Sequence, residues 1–306
     1  METVNASRAH RQGLGFMVLA AVQWGLIGVV GRVAMAESVP PTEVAFWRAA
    51  LGALGFALHA TLTRASPLRP RDRGQAAALG IGGVAVMYLA HLNAVRTGGV
   101  AVASMLLYSA PLWVAAVGWL GWGERPDRRE VLPLALTLLG VIVVALSTGS
   151  PASGHRLDGG LDGGAVGWGL LSGITYALYY LMGRPLFAHN APSRALAWVL
   201  AIGALALAPF VTFAAISPRA WAALGFLAAF CTFGAYLAYA YGIRRLSPSQ
   251  AATVATLEPV VALGAAYGVW GERLAPAGIA GAGLVIAGIL GSARLASRTA
   301  PGENPP

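Results

Sequence analysis

Glu258 is at odds with its surroundings, because the twenty residues from Ala251 to Trp270 contain no other acidic or basic side chain. An acid inside an apolar helix is costly, so it is a candidate to carry a coupling proton, bind a substrate ammonium or tie two helices together. Beside it stands Pro259, and a second apolar run places Pro111 at a comparable depth. A proline at such a position frees the carbonyl four residues earlier, that of Leu107 or Ala255, and tends to kink the helix. The pair reads as hinges or gates, or as static kinks. Around them lie side chains that join an apolar face to a polar tip, a combination suited to ligands with an apolar part and an amino-acid head. Tyr176, Tyr179 and Tyr180 share one helix face, as do Met87 and His91 with Tyr88 adjacent, and Tyr236 with Tyr239; Met105, Tyr108 and Trp24 complete the set. The same spacing also serves packing. His91 could bind substrate or titrate near neutral pH, although packing is the commoner role of such a histidine.

Other chemistry is poorly supported. The four aspartates, Asp72, Asp127, Asp158 and Asp162, fall in polar connections, and the five histidines lack metal-ligand spacing. Ser172-Gly173 is not preceded by the Gly-x of a nucleophile elbow, and no phosphate-binding loop is present. No catalytic residue, cofactor or metal site is therefore expected. A membrane-embedded enzyme is the alternative from another class. Cys231 is the single cysteine and lacks a partner for an internal disulfide.

The elements that position these residues follow from composition. Of 306 residues 57% are hydrophobic and only 11% charged, against roughly a quarter charged in soluble proteins. Apolar runs near the roughly 20 residues that cross a bilayer as helix recur ten times. Their expected spans are 13–33, 41–62, 75–95, 101–121, 130–147, 164–183, 194–214, 220–243, 249–269 and 276–293. With a cytoplasmic N-terminus, fifteen arginines lie inside and six (Arg32, Arg48, Arg96, Arg156, Arg219 and Arg273) lie outside or at outer helix ends. That bias fixes both termini in the cytoplasm and accounts for the net charge of +9 without a nucleic-acid partner. Arg32 and Arg48 are expected to snorkel to the outer interface. The first span resembles a signal peptide, but its length and Arg32 favour a retained helix.

The chain is also a duplication. At an offset of 148 residues Tyr88-Leu-Ala90 falls on Tyr236-Leu-Ala238, Pro111 on Pro259, Gly140 on Gly288 and Trp122-Gly-Glu-Arg125 on Trp270-Gly-Glu-Arg273. At an offset of 152, Trp24 falls on Tyr176 and Gly31-Arg32 on Gly183-Arg184. Five spans per half is an odd number, so the halves insert with opposite orientation. The repeated tetrapeptide reads as an interfacial tryptophan, a helix-ending glycine and solvated charges, marking equivalent helix ends on opposite faces. The expected organisation is a tail over 1–12, a first repeat over 13–147, an outer linker over 148–163, a second repeat over 164–293 and a tail over 294–306. Inverted repeats of this kind can rock about a midplane site and open it to either side. The expected fold class is an all-α integral membrane protein, ten transmembrane helices as two inverted five-helix repeats around a central cavity. Glycine runs such as Gly25, Gly28, Gly31 and Gly278, Gly281, Gly288, Gly291 allow close helix packing, within the chain or in a dimer.

Four features carry a family resemblance: Trp24-Gly25, Phe46-Trp-Arg48, the Ala110-Pro111 and Glu258-Pro259 pairs, and the two WGER helix ends. They resemble the ten-helix branch of the drug/metabolite transporter superfamily built from EamA repeats, over about residues 13–293. The resemblance implies a multi-pass transporter of a bacterial inner membrane, a lipid bilayer around a monomer or homodimer, and a small-molecule substrate. Within the superfamily the chain looks most like amino-acid exporters, including the aromatic type; drugs or other metabolites are the alternative cargo.

Overall fold

Prolines and serines start several of the helices. Pro41, Pro192, Pro218 and Pro248 occupy first-turn positions, where the missing N–H costs nothing. Ser217 and Ser247 cap two of these, the latter in a reciprocal capping box with Gln250. The computed structural model describes residues 2–122, 128–148, 163–213, 215–271 and 276–298, and every regular element among them is helical. The 149–162 part of the expected linker, Glu124-Arg125, Glu272-Arg273 and the tail from 299 lie outside the described residues.

The first pass comprises α1 (Glu2–Gly25) and α2 (Ile27–Ala36), and the second α3 (Pro41–Leu62). The third and fourth use α4 (Arg73–Ala78), α5 (Met87–Leu107) and α6 (Ala110–Trp122), and the fifth α7 (Arg128–Thr148). The second repeat follows with α8 (Gly163–His189), α9 (Pro192–Leu207), α10 (Pro218–Ala228) with α11 (Ala235–Ile243), α12 (Pro248–Ala255) with α13 (Glu258–Trp270), and α14 (Pro276–Arg298). Among the described residues, eight stretches are long and apolar enough to cross a membrane, and Val131–Val144 and Pro276–Ser292 add two shorter ones. The seventh pass ends sooner than the sequence predicts: Pro209 terminates it in a short 3-10 turn, Ala208–Phe210.

Three details depart from simple spanning helices. The third and fourth passes share α5 with no separate loop. Gln75 bonds the Met182 carbonyl, Gly98 meets Ala165, and Leu106 then packs on Gly169 and Gly173, so the chain travels up α8 and turns back near Gly98. A Cβ on Gly98 would stand 2.7 Å from that of Ala165. Secondly, Pro111 and Pro259 break their passes outright instead of kinking them. Turns at Tyr108-Ser109 and Thr256-Leu257 precede new helices in which each proline sits in the first turn. Thirdly, the third and eighth passes each contain a π-helical segment, Leu79–Val86 and Ala229–Gly234. Displaced by 148 residues, the second falls inside the first. Such wide turns appear mostly at functional sites.

The repeats interlock. α5 packs on α8 and α1 on α11, which are equivalent pairings across the internal symmetry, while α3 lies on α9 and α7 on α14. The glycine run of the last pass serves this internal packing: Gly281 and Gly288 face α7. Gly271, at φ +66°, ends α13 in the left-handed conformation behind the half-exposed Trp270.

Candidate functional site

The helix breaks and the interlocked repeats leave a cavity of about 320 Å³, within the range of about 300–1,000 Å³ usual for small-molecule sites. Its walls come from both repeats. The break between α1 and α2 contributes Trp24, Gly25, Ile27 and Gly28; α3 contributes Arg48; α5 contributes Met87, Tyr88, His91, Ser104 and Leu107, followed by Tyr108. From the second repeat come Tyr176 and Tyr179 on α8, Tyr236 on α11, and Glu258 and Ala262 on α13. Gly25 is required for the assembly, since a Cβ there would lie 2.8 Å from the Glu258 carbonyl and 2.7 Å from Cβ of Val261.

Glu258 opens α13, so the break puts its carboxylate at a helix N-terminus, where negative charge is favoured. The Tyr176 hydroxyl donates to Oε2 at 3.1 Å, and Tyr108 sits beside the same carboxylate. Rings enclose the space edge to face, with Trp24 on Tyr236 at 5.5 Å and Tyr108 on Tyr176 at 6.4 Å between centroids. The floor is a hydrogen-bonded tyrosine layer. Tyr236 donates to the Tyr179 hydroxyl at 2.6 Å, and Tyr239, from beneath this layer, donates to the Tyr179 carbonyl. Nδ1 of His91 is buried without a hydrogen-bond partner among the described residues.

Arg48 corrects the sequence reading. It does not reach an outer interface but is buried, with 4% of its surface exposed, and lines the cavity. Its Nε donates to Thr232 Oγ1 at 3.4 Å, and its guanidinium stacks 5.3 Å from the centre of Tyr88. Seven residues into α3, or about 10 Å by helical rise, it faces other helices; Thr232, inside the second π segment, and the Tyr88 ring replace water. Arg32 is exposed and stacks over Trp270 at 4.8 Å.

Three expected wall residues stand elsewhere. Met105 is a neighbour of Ser104 on the helix, and Ser104, Leu107 and Tyr108 take the cavity face at i, i+3, i+4 spacing, turning Met105 away. Tyr180 and Tyr239 occupy the predicted faces one turn too deep, below the floor, where both contact each other's rings and Tyr239 packs on Phe187. The remaining expected residues, Trp24, Met87, Tyr88, His91, Tyr108, Tyr176, Tyr179, Tyr236 and Glu258, come together. Arg48 and Ser104 were not anticipated there; the signal for Arg48 was the Phe46-Trp-Arg48 motif and its distance from the start of the helix. Among the described residues, no three His, Cys, Asp or Glu side chains form a group able to hold a metal.

Comparison with known proteins places this cavity in a family. Residues 11–146 and 164–294 each match the EamA-like transporter family, and the chain belongs to it. An uncharacterized transporter of Archaeoglobus fulgidus is 26% identical over 285 residues, covering 92% of this chain and 97% of that protein. The uncharacterized inner membrane transporter YedA of Escherichia coli is 28% identical over 270 residues, 85% of this chain and 83% of YedA. A solved crystal structure superposes with a TM-score of 0.76 over 95% of this chain and 99% of its own, at 18% identity, and so shares the fold. The protein is thus a multi-pass membrane transporter.

Proposed function

We propose that the protein exports small amphipathic metabolites, foremost amino acids with aromatic or other apolar side chains, across a bacterial inner membrane by alternating access between its inverted repeats. The observation that carries this reading is an aromatic-walled cavity built jointly by both repeats, with acidic, basic and hydroxyl groups at its edges. Trp24, Met87, Tyr88, Tyr108, Tyr176, Tyr179 and Tyr236 supply the apolar surface, and His91, Arg48 and Glu258 the polar contacts. Relative movement of the repeats would be taken up at the helix breaks before Pro111 and Pro259, where backbone bonds are already interrupted. One chain encloses the cavity, so a monomer suffices. The inner-membrane setting is supported by the likeness to YedA, and cytoplasmic termini by the arginine bias.

Counterflow into liposomes without ATP, across amino acids, sugars, nucleotides and lipophilic cations, tests this reading. Uptake of apolar amino acids is expected; uptake confined to sugars or nucleotides would remove it. A second reading, export of cationic drugs, is favoured by Glu258 among aromatic rings, a combination that attracts cations.

A further inference from the structure

Two opposite charges border the cavity without forming an ion pair with each other. Arg48 reaches the Thr232 hydroxyl and Tyr88, and among the described residues no carboxylate lies within ion-pair distance of it. Glu258 reaches tyrosine hydroxyls, and among the described residues no cation lies within ion-pair distance of it. Each comes from a different repeat, and both line the same space, with no Arg48 nitrogen within 4.0 Å of a Glu258 oxygen. A buried charge without an ionic partner is costly, and helix contacts alone would be served as well by neutral side chains. The separation instead leaves room for a group that carries both signs.

We propose that Arg48 and Glu258 are the two poles of a zwitterion site: the guanidinium takes the carboxylate of an α-amino acid and Glu258 takes its ammonium. Arginine's planar fork matches a carboxylate. On the other side, the ammonium would meet Glu258 together with the faces of neighbouring rings. The apolar side chain then lies against Trp24, Tyr176 and Tyr236. A free amine leaves Arg48 without its anion, and a free acid leaves Glu258 without its cation and faces its charge. A zwitterion completes both while adding no net charge. This inference rests on the amino-acid reading above and sharpens it, because selection acts on the backbone groups of the substrate and not only on its side chain.

The test is competition against counterflow of labelled L-phenylalanine in liposomes, with phenethylamine, which lacks the carboxylate, and 3-phenylpropionate, which lacks the ammonium. Dry sites built to pair a polar group reject analogues lacking it by 10⁴–10⁵; a cavity that admits water discriminates less, so each analogue should compete at least about tenfold more weakly than phenylalanine. Arg48→Gln should collapse the phenylalanine-to-phenethylamine ratio, and Glu258→Gln the phenylalanine-to-3-phenylpropionate ratio, each leaving the other ratio largely in place. Analogues that compete as well as phenylalanine in the wild type, or variants that weaken all three ligands alike, would overturn the site while leaving amino-acid transport standing. Wild-type liposomes that move no amino acid would instead overturn the underlying reading. Should Arg48→Gln not fold, Arg48→Lys keeps the charge without the fork and should reduce the first ratio part way; an unchanged ratio would count against the proposal.

Discussion

Replacing Gly140 by alanine should destabilise the protein although alanine is the better helix former. A Cβ at Gly140 would lie 2.6 Å from the Gly281 carbonyl oxygen and 2.7 Å from the Val285 nitrogen. Ordinary contact begins at 3.4 Å, a shortfall of about 0.8 Å against the first of these atoms. Both obstacles are backbone of α14, so no side chain can swing aside. The symmetry-related Gly288 is closed in the same way by Thr137 and by the Pro133 carbonyl at 2.6 Å. α7 and α14 would have to separate, and a gap of 0.5–1 Å forfeits roughly a quarter to a half of each dispersion contact along the seam. Overpacking of this kind costs about 1–3 kcal/mol, offset by the alanine-over-glycine helix preference of roughly 1 kcal/mol. The net loss is then up to about 2 kcal/mol, and at roughly 2–4 °C per kcal/mol the apparent Tm should fall by up to several degrees. The assay is the fraction of detergent-purified protein that stays monodisperse after heating, under one fixed heating programme because unfolding is irreversible in such scans. Gly264→Ala in α13 is the control, since nothing lies within 4 Å of a Cβ there. Equal shifts for the two variants would refute the reasoning.

Three further outcomes are expected. Gly183→Ala places a Cβ against the Tyr239 hydroxyl, so it should lower the Tm, and adding Tyr239→Phe should restore part of the loss; no rescue would mean the clash lies elsewhere. Ser38 ends α2 at φ +66°, with Ser38 and Val39 N–H bonded to the Met35 and Ala34 carbonyls, so Ser38→Gly should raise stability by about 0.5–1 kcal/mol, read as a higher Tm in the same assay. A reporter fused after Pro306 should be active only in the cytoplasm, and activity confined to the other side would reverse the orientation drawn from the arginines.

Much of the fold was legible because membrane insertion is written locally. Every backbone group must be satisfied within its own helix, so each pass announces itself as an apolar run of the right length. The duplication was legible as well, and Gly140 and Gly288 show why it persists: both are pinned by the same close crossing of α7 and α14. Depth within the bundle was not legible. Periodicity gives the face on which Tyr180 and Tyr239 stand, but where the cavity closes depends on the layer formed by Tyr179 and Tyr236 from two different helices of the second repeat. Arg48 was misplaced for a related reason: a cation near a helix start looks interfacial until Thr232, 184 residues away, is brought beneath it. The prolines showed that backbone bonds would be lost, not that the passes would break in two.

The internal symmetry also explains how a site with two poles arises from one ancestral half. At the offset of 148 Tyr88 corresponds to Tyr236 and Thr232 to Val84, and at the offset of 152 Arg48 corresponds to Leu200. All six line one small space between α3, α9 and the two π-bearing passes. The rings are therefore kept in both halves, whereas the cation and its hydroxyl partner replace aliphatic side chains on one side only. Glu258 repeats the pattern, since its counterpart Ala110 opens the equivalent half-helix without a charge. The aromatic walls are thus duplicated, and the charged groups are not. Two arginines or two acids placed symmetrically would repel each other and favour ions of one sign. A single charge from each half, opposite in sign, gives the cavity a direction across the axis about which the repeats are related. A ligand with its own two poles can lie along that direction in one sense only, so the same contacts orient it and remain paired while the repeats move around it.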